Sequence, residues 1–420
     1  MDIVHRIEEA AGIKMNILDP EKEALYGVYG VLCFLESYDG FVLDIGGGSC
    51  QLSYVQYANS RLYFEPFCVS LPFGAATLSR RLDAESQTVL YNDMIHQLKE
   101  AASDFPEFSS LGSKPLICCG GGSRGIGYVL MSKDPIQPYP FADIDGYVKG
   151  FDDVINIAND IMSLSDCQKQ PHDFLKMANI SKHRAKQAPA VALLFKSLKE
   201  IGLPVSSVTF SKGGVPYGIL FENIPESSME LTPLDSFFNS AQLPTNATIE
   251  ELMSQATPSF IPASFAPIIK ILSRSLYLFQ GESKMLAPIM GLAATITGIF
   301  ADITGLTHRE KAIISIALCE RFGRVKNNLQ LKVMETIAGP EGSLYGLYFG
   351  KIMALLGWFY PSLESASELR IAFKVVYKRS QKSQRSWICQ VQSKNFDLSD
   401  SVIREIFKTS ESDLFEISAV

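Results

Sequence analysis

Three times in this chain an apolar run stops abruptly in glycine, and strands that end this way must turn tightly against something that leaves no room for a side chain. Phe41–Ile45 runs into Gly46-Gly47-Gly48-Ser49, Pro115–Cys119 into Gly120-Gly121-Gly122-Ser123, and Ser207–Phe210 into the Gly213-Gly214 turn. Glycine lets backbone N–H groups approach an anion with no Cβ in the way, so such runs at strand ends are a common means of holding phosphate. In the first turn Ser49 adds a hydroxyl donor. Asp44 at the strand end faces the same cavity, where a carboxylate can hold a magnesium ion or orient water. The same residues also fit a plain hairpin whose glycines only supply positive φ.

The second turn has three readings. Taken as G-x-G-x-x-G, Gly120–Gly125 is a dinucleotide fingerprint with Asp143 or Asp145 as ribose partner, although Gln137–Asp145 makes a poor strand for such an acid. Taken as G-x-S-x-G, Gly121–Gly125 is a nucleophile elbow built on Ser123, which needs a histidine; His172, His183 and His308 follow it in no telling context. Taken as a phosphate loop, it joins the other two turns in one account of all three.

Around these turns the chain alternates strands and helices from residue 40 to 224, which points to an α/β domain. Before it, Ile3–Ala11 reads as a helix, Lys14–Leu18 as a short strand, and Pro20 onward as a second helix capped by Asp19. The stretch 225–267 carries Pro225, Pro233, Pro244, Pro258, Pro262 and Pro267 in a Ser/Thr/Asn-rich setting and reads as a linker. Residues 268–360 read as a helical domain. Residues 361–420 read as a hairpin of two strands, Arg370–Tyr377 and Trp387–Gln392, and a final helix over Ser401–Lys408.

A net charge of -7 argues against non-specific binding to nucleic acid or an anionic membrane. Eight cysteines show no C-x-x-C pair, and several lie in apolar runs, so a reducing compartment is expected and no disulfide framework. The uncharged run Met285–Ala301 is short for a membrane span and is diluted by Pro288, Gly291 and Gly298; it reads as a buried helix. Met1–Gly12 carries too many charges for a signal peptide. The His172-Asp173 pair reads as a surface turn, because the further metal ligands of an HD site are missing. Lys374, Lys378, Arg379, Lys382 and Arg385 read as a solvated basic loop.

The segment Glu21-Lys22-Glu23-Ala24-Leu25, followed by Tyr29-Gly30-Val31 and Phe41–Ser49, resembles the Ppx/GppA family of exopolyphosphatases and guanosine pentaphosphate phosphohydrolases. Ser70–Thr77, Gly120–Ser123, His183–Gln187 and Ser211–Gly218 continue that family's motifs in the same order. Ser70–Ala76 together with Leu318–Gly323 looks closest to its fungal branch, which includes a regulator that signals mitochondrial state to the nucleus. The resemblance implies an α/β lobe of the actin/sugar-kinase/Hsp70-like (ribonuclease H-like) fold, followed by a helical domain and a small C-terminal α+β element.

On that likeness Glu23 is the general base and Asp44 the metal-binding carboxylate for Mg2+. Gly46, Gly47, Gly48, Ser49, Gly120, Gly121, Gly122, Ser123, Gly213 and Gly214 contact phosphate. The implied ligand is polyphosphate or a phosphorylated nucleotide, in a cytoplasmic protein with a regulatory protein partner or a second copy of itself. Three departures temper the expectation of turnover. Nothing before residue 20 resembles the family's opening Asp-x-Gly-Ser hairpin, so residues 1–39 read as the remnant of a first lobe. Gln51 stands where the hydrolases usually carry an acid. Pro216-Tyr217 replaces an expected Arg-Glu, removing a fixed cation.

Overall fold

The computed structural model describes residues 2–58, 61–63, 66–103, 105–166, 180–224, 232–325, 327–378, 386–393 and 415–419. The chain forms two compact units, one of Met1–Pro135 with Ile144–Glu230, the other of Ile136–Asp143 with Leu231–Val420.

The first unit is organised by a mixed sheet. The antiparallel hairpin of β1 (Ser37–Ile45) and β2 (Cys50–Ala58) is followed by the short β3 (Arg61–Leu62) and β4 (Phe67–Leu71), both of which pair with β2. β5 (Lys114–Cys119) lies parallel to β1, and β7 (Val205–Phe210) lies parallel to β5, with β6 (Tyr147–Gly150) antiparallel on the far edge. The order β3-β2-β1-β5-β7-β6, with β4 against β2, puts an antiparallel meander beside parallel crossover strands. That is the arrangement of a ribonuclease H-like lobe of the actin-like fold. β1 is buried continuously from Gly40 to Ile45, as expected for a strand covered on both faces.

The parallel strands β1, β5 and β7 all run the same way, so their glycine turns emerge at one edge. Ligands bind open α/β sheets in the crevice beyond the carboxyl ends of such strands. Helices α3 (Ala75–Ala84), α4 (Gln87–Ala102) and the short α5 (Phe108–Leu111) connect the meander to β5. α6 (Gly120–Ser132) leaves β5, α7 (Phe151–Asp166) follows β6, α8 (Lys182–Glu200) leads into β7, and α9 (Val215–Glu222) leaves β7.

Of the N-terminal segment, α1 (Asp2–Ala11) forms as expected and ends at Gly12 with φ +66, a left-handed helix stop. Lys14–Leu18 is not a strand. α2 (Pro20–Leu32) begins as its sequence dictates, with the Asp19 side chain accepting from the Lys22 amide at 2.8 Å and Pro20 in the first turn. Val28, Val31 and Leu32 share a core with Val42, Val55 and Ile117, so residues 20–39 are part of the sheet unit, not a separate body. α2 meets α9 backbone to backbone: a Cβ on Gly30 would fall on the main chain of Gly214, and one on Gly218 on that of Tyr26.

In the second unit the proline-rich stretch expected to be a linker is helical where it is described. α10 (Pro233–Ser240) and α11 (Ala247–Gln255) precede α12 (Ala266–Arg274), and Phe238, Ile249, Leu252 and Phe265 are core residues. Pro233 and Pro267 sit in first turns, where a missing N–H costs nothing, so proline starts these helices. α13 (Leu286–Ala293) is all the helix that the uncharged run forms; no described helix is long and apolar enough to cross a membrane. α14 (His308–Arg321) packs along α15 (Leu329–Phe359), which is broken at Gly339 with φ +71 ahead of Pro340. β8 (Ile371–Lys378), β9 (Ser386–Ser393) and β10 (Phe415–Ala419) close the unit as a small sheet. The expected final helix, the His172-Asp173 pair, and Arg379, Lys382 and Arg385 lie outside the described residues.

Gly30→Ala is expected to destabilise the first unit, because neither main chain at the α2–α9 contact can yield as a side chain would. Overpacking of this kind costs about 1–3 kcal/mol. The midpoint of thermal unfolding should therefore fall, by about 2–4 °C per kcal/mol. An unchanged midpoint would contradict the contact.

Candidate functional site

The β1–β2 turn is held by one cross-turn bond, Gly46 N–H to Ser49 C=O at 3.0 Å. Its remaining carbonyls point at the start of α3. The Ala75 amide donates to Gly46 O at 2.9 Å, Ala76 and Thr77 donate to Gly47 O at 3.0 and 3.2 Å, and Gly74 donates to Gly48 O at 3.3 Å. In a trans peptide the C=O of one residue and the N–H of the next point in opposite directions. Three carbonyls committed to α3 therefore turn the amides of Gly47, Gly48 and Ser49 the other way, as a concave set of donors of the kind that binds anions. Gly47 and Gly48 are exposed, and a Cβ on either would meet nothing within 4 Å.

Asp44 lies directly behind this turn and is 8% exposed. Glycines from three other segments close around its carboxylate. Cβ positions on Gly27 of α2 and Gly214 ahead of α9 would lie 3.6 and 3.5 Å from Oδ2. Gly120, at φ +84, presses against both the Asp44 carboxylate and the Ile45 carbonyl. Two of the three glycine turns, at Gly120 and Gly214, thus reach the carboxylate that precedes the third. Burial pushes the Asp44 carboxyl above the usual range and the nearby Glu23 charge adds to this, while a hydrogen bond with the Cys119 side chain and the charge of Arg124 pull it down.

Glu23 stands in the first turn of α2 with its carboxylate fixed from the sheet. Its Oε2 accepts from Gln51 Nε2 at 3.0 Å and from Ser49 Oγ at 3.4 Å. Gln51 Nε2 also reaches Ser49 Oγ at 2.9 Å and Ser70 Oγ at 3.4 Å, and Gln51 is 3% exposed. In the hairpin register Gln51 is directly opposite Asp44, so positions 23, 44 and 51 converge on one face. Sequence reasoning treated Gln51 only as a departure; its place opposite Asp44 follows from the four-residue turn Gly46–Ser49.

The other turns do different work. The start of α6 puts Gly121 against open space beside Asp44, and the Arg124 side chain folds back with Nε donating to Gly120 O at 3.2 Å. Ser123 has no exposure, and its hydroxyl donates to the carbonyls of Cys119 and Gly120. A serine buried in this way is not the exposed nucleophile that an elbow requires. Gly213 and Gly214 are buried, and their amides donate to Ser211 Oγ at 3.0 Å and Gly30 O at 3.4 Å, so this pair spends its donors inside the protein. Asp145, the ribose candidate, instead braces the end of β7 through Ser211 Oγ at 3.3 Å and the Lys212 amide at 3.0 Å. Tyr217, where a basic residue was expected nearby, packs edge-on against Phe34 with ring centroids 5.2 Å apart.

The fit to a metal can be tested on these donors. Among the described residues no group of three or more His, Cys, Asp or Glu side chains is placed to hold an ion. Asp44 is enclosed by glycines, and Glu23 Oε2 already receives an N–H donor. These residues do not fit a metal ion held by protein alone.

The fold of the first unit is that of an actin-like lobe, with the exposed β1–β2 turn at the carboxyl end of β1. The chain belongs to the Ppx/GppA phosphatase family, whose model matches residues 1–227, and residues 233–413 match the RTG2 C-terminal domain. Retrograde regulation protein 2 of Saccharomyces cerevisiae is 30% identical over 342 residues, covering 77% of this chain. The match covers only 56% of that relative's length. Among solved structures, an exopolyphosphatase from Cytophaga hutchinsonii is 16% identical with a TM-score of 0.42, covering 53% of this chain and 70% of that one. The Aquifex aeolicus Ppx/GppA phosphatase is 18% identical with a TM-score of 0.39 over the same shares.

The raised Asp44 carboxyl has a consequence for stability. A folded-state value above the unfolded one means that the contribution is present below the ordinary carboxyl range and is lost as pH rises through the raised value. At neutral pH the buried charge therefore works against folding. Asp44→Asn is expected to raise the midpoint of thermal unfolding at pH 7, with the gain shrinking as pH falls into the carboxyl range. A lower midpoint at pH 7 would contradict this assignment.

Proposed function

We propose that this chain is a phosphate-chain receptor of the retrograde-regulation type. In this reading the Gly47, Gly48 and Ser49 amides and the start of α6 hold the terminal phosphates of polyphosphate or of a phosphorylated nucleotide. The helical second unit offers surface to a regulatory protein partner. The supporting observation is the turn itself, whose carbonyls are committed to α3 and whose exposed amides remain for an anion. Two carboxylates beside a polyanion need positive charge, so magnesium enters with the phosphates and their waters and does not reside in the protein. The buried thiols Cys50, Cys118, Cys119, Cys319 and Cys389 accord with a reducing compartment, which we take to be the cytoplasm.

A second reading, hydrolysis of the terminal anhydride, is favoured by one observation: Glu23 is fixed beside the turn by Gln51 and Ser49. Phosphoryl transfer asks mainly for positioning and charge stabilisation. Glu23 would take a proton from a water whose oxygen bonds to the terminal phosphorus as the bridging P–O bond breaks. The shortened phosphate chain would leave with that electron pair.

The test combines binding with phosphate release from long-chain polyphosphate and guanosine pentaphosphate. Gly47→Ala is expected to keep stability within about 0.5 kcal/mol, because its Cβ meets nothing. It should still weaken polyphosphate binding about tenfold by obstructing charge-assisted N–H contacts. No release by the wild type, with binding lost in Gly47→Ala, supports the receptor. Release that disappears in Glu23→Gln supports the hydrolase. Full binding by both Gly47→Ala and Asp44→Ala would remove the site from consideration.

A further inference from the structure

We propose that Gln51 is the residue that keeps this site from holding a divalent metal ion by itself, because its amide clamps Glu23 where a third carboxylate would complete a cation site. The inference concerns the same site as the phosphate reading and rests on it only for the identity of the ligand. Glu23, Asp44 and Gln51 come from three chain segments and meet on one face, two of them as a directly opposed cross-strand pair. Opposed residues in an antiparallel pair have Cβ atoms roughly 4.5–5.5 Å apart, close enough for their side chains to share one ligand.

The orientation of the Gln51 amide carries the argument. Facing Glu23 Oε2 at 3.0 Å, the amide presents its N–H2 group, since a carbonyl oxygen there would meet a carboxylate oxygen with no proton between them. A cation placed between the carboxylates would sit against that N–H2 group and be repelled. Gln51 is 3% exposed and also donates to Ser49 and Ser70, so it cannot swing away without leaving those contacts unmade. A neutral donor here lets buried Asp44 and half-buried Glu23 share one face with no ion present. An acid at position 51 would instead stand opposite Asp44 and beside Glu23, an arrangement of like charges that a bound cation or an extra proton relieves, and at neutral pH a divalent cation relieves it for all three carboxylates together.

The experiment is thermal unfolding of the full chain in phosphate-free buffer, first stripped with EDTA and then titrated with magnesium or manganese chloride. Wild type and Gln51→Leu are expected to show no metal-dependent shift. Gln51→Glu should unfold at a lower temperature in EDTA and recover on titration. Recovery should amount to about 3 °C for each tenfold rise in free metal above its Kd. If wild type gains as much as Gln51→Glu, or neither metal raises Gln51→Glu, the proposal is overturned. Should Gln51→Glu fold only in the presence of metal, that outcome supports it. Should Gln51→Glu fail to fold under any condition, calorimetric titration of wild type with magnesium chloride decides: stoichiometric binding overturns the proposal and its absence supports it. No phosphate enters these measurements, so failure here is separate from failure of Gly47→Ala to weaken polyphosphate binding.

Discussion

The enclosure of the Asp44 carboxylate is the constraint on which the first unit is arranged. A carboxylate withdrawn this far from water is unfavourable, and at Gly120 only glycine allows the backbone to approach it as closely as it does. Gly27, Gly120 and Gly214 belong to segments far apart in the chain, yet each presents bare backbone to the same two oxygens. The α2–α9 contact follows from this. Gly30 and Gly218 continue the close approach between α2 and the segment that starts α9.

That enclosure gives the three glycine turns unequal roles. The β1–β2 turn has its carbonyls satisfied by α3 and so keeps its amides for something outside the chain. The β7 turn has its amides satisfied by Ser211 and Gly30, inside the protein. The β5 turn lies between these cases, with Gly121 open and Ser123 sealed. Peptide geometry makes this division: when one side of a turn is bonded to the protein, the other side faces away.

Much of this was legible from the residues. Strand-then-glycine at Asp44–Ser49 located the turn, and Asp19-Pro20 located the start of α2. The length of the turn alone pairs Asp44 with Gln51. The unequal use of the turns was not legible, because Gly46-Gly47 and Gly213-Gly214 look alike until the partners of their amides are known. The proline-rich stretch before residue 267 misled for a related reason. Proline at a helix start and proline in a linker are the same letter, and only the core positions of Leu234 and Phe238, four residues apart on one helical face, tell them apart. A reader weighting that spacing over proline content would have found α10.

The charge balance of the site says what kind of ligand suits it. Asp44 and Glu23 bring two negative groups to the open turn, and Arg124, the cation that acts on Asp44, turns its Nε back onto the Gly120 carbonyl. Pro216 stands where the resemblance would place a second cation, and Tyr217 beside it packs against Phe34. Isolated amide donors facing a polyanion, with carboxylates behind them, favour a ligand that carries its own counterions, as a polyphosphate chain does in magnesium-containing solution. In the proposed receptor, binding depends on the geometry of Gly47, Gly48 and Ser49 more than on fixed charge. Under that proposal neutral Gln51 is tolerated, because the cation arrives with the phosphates.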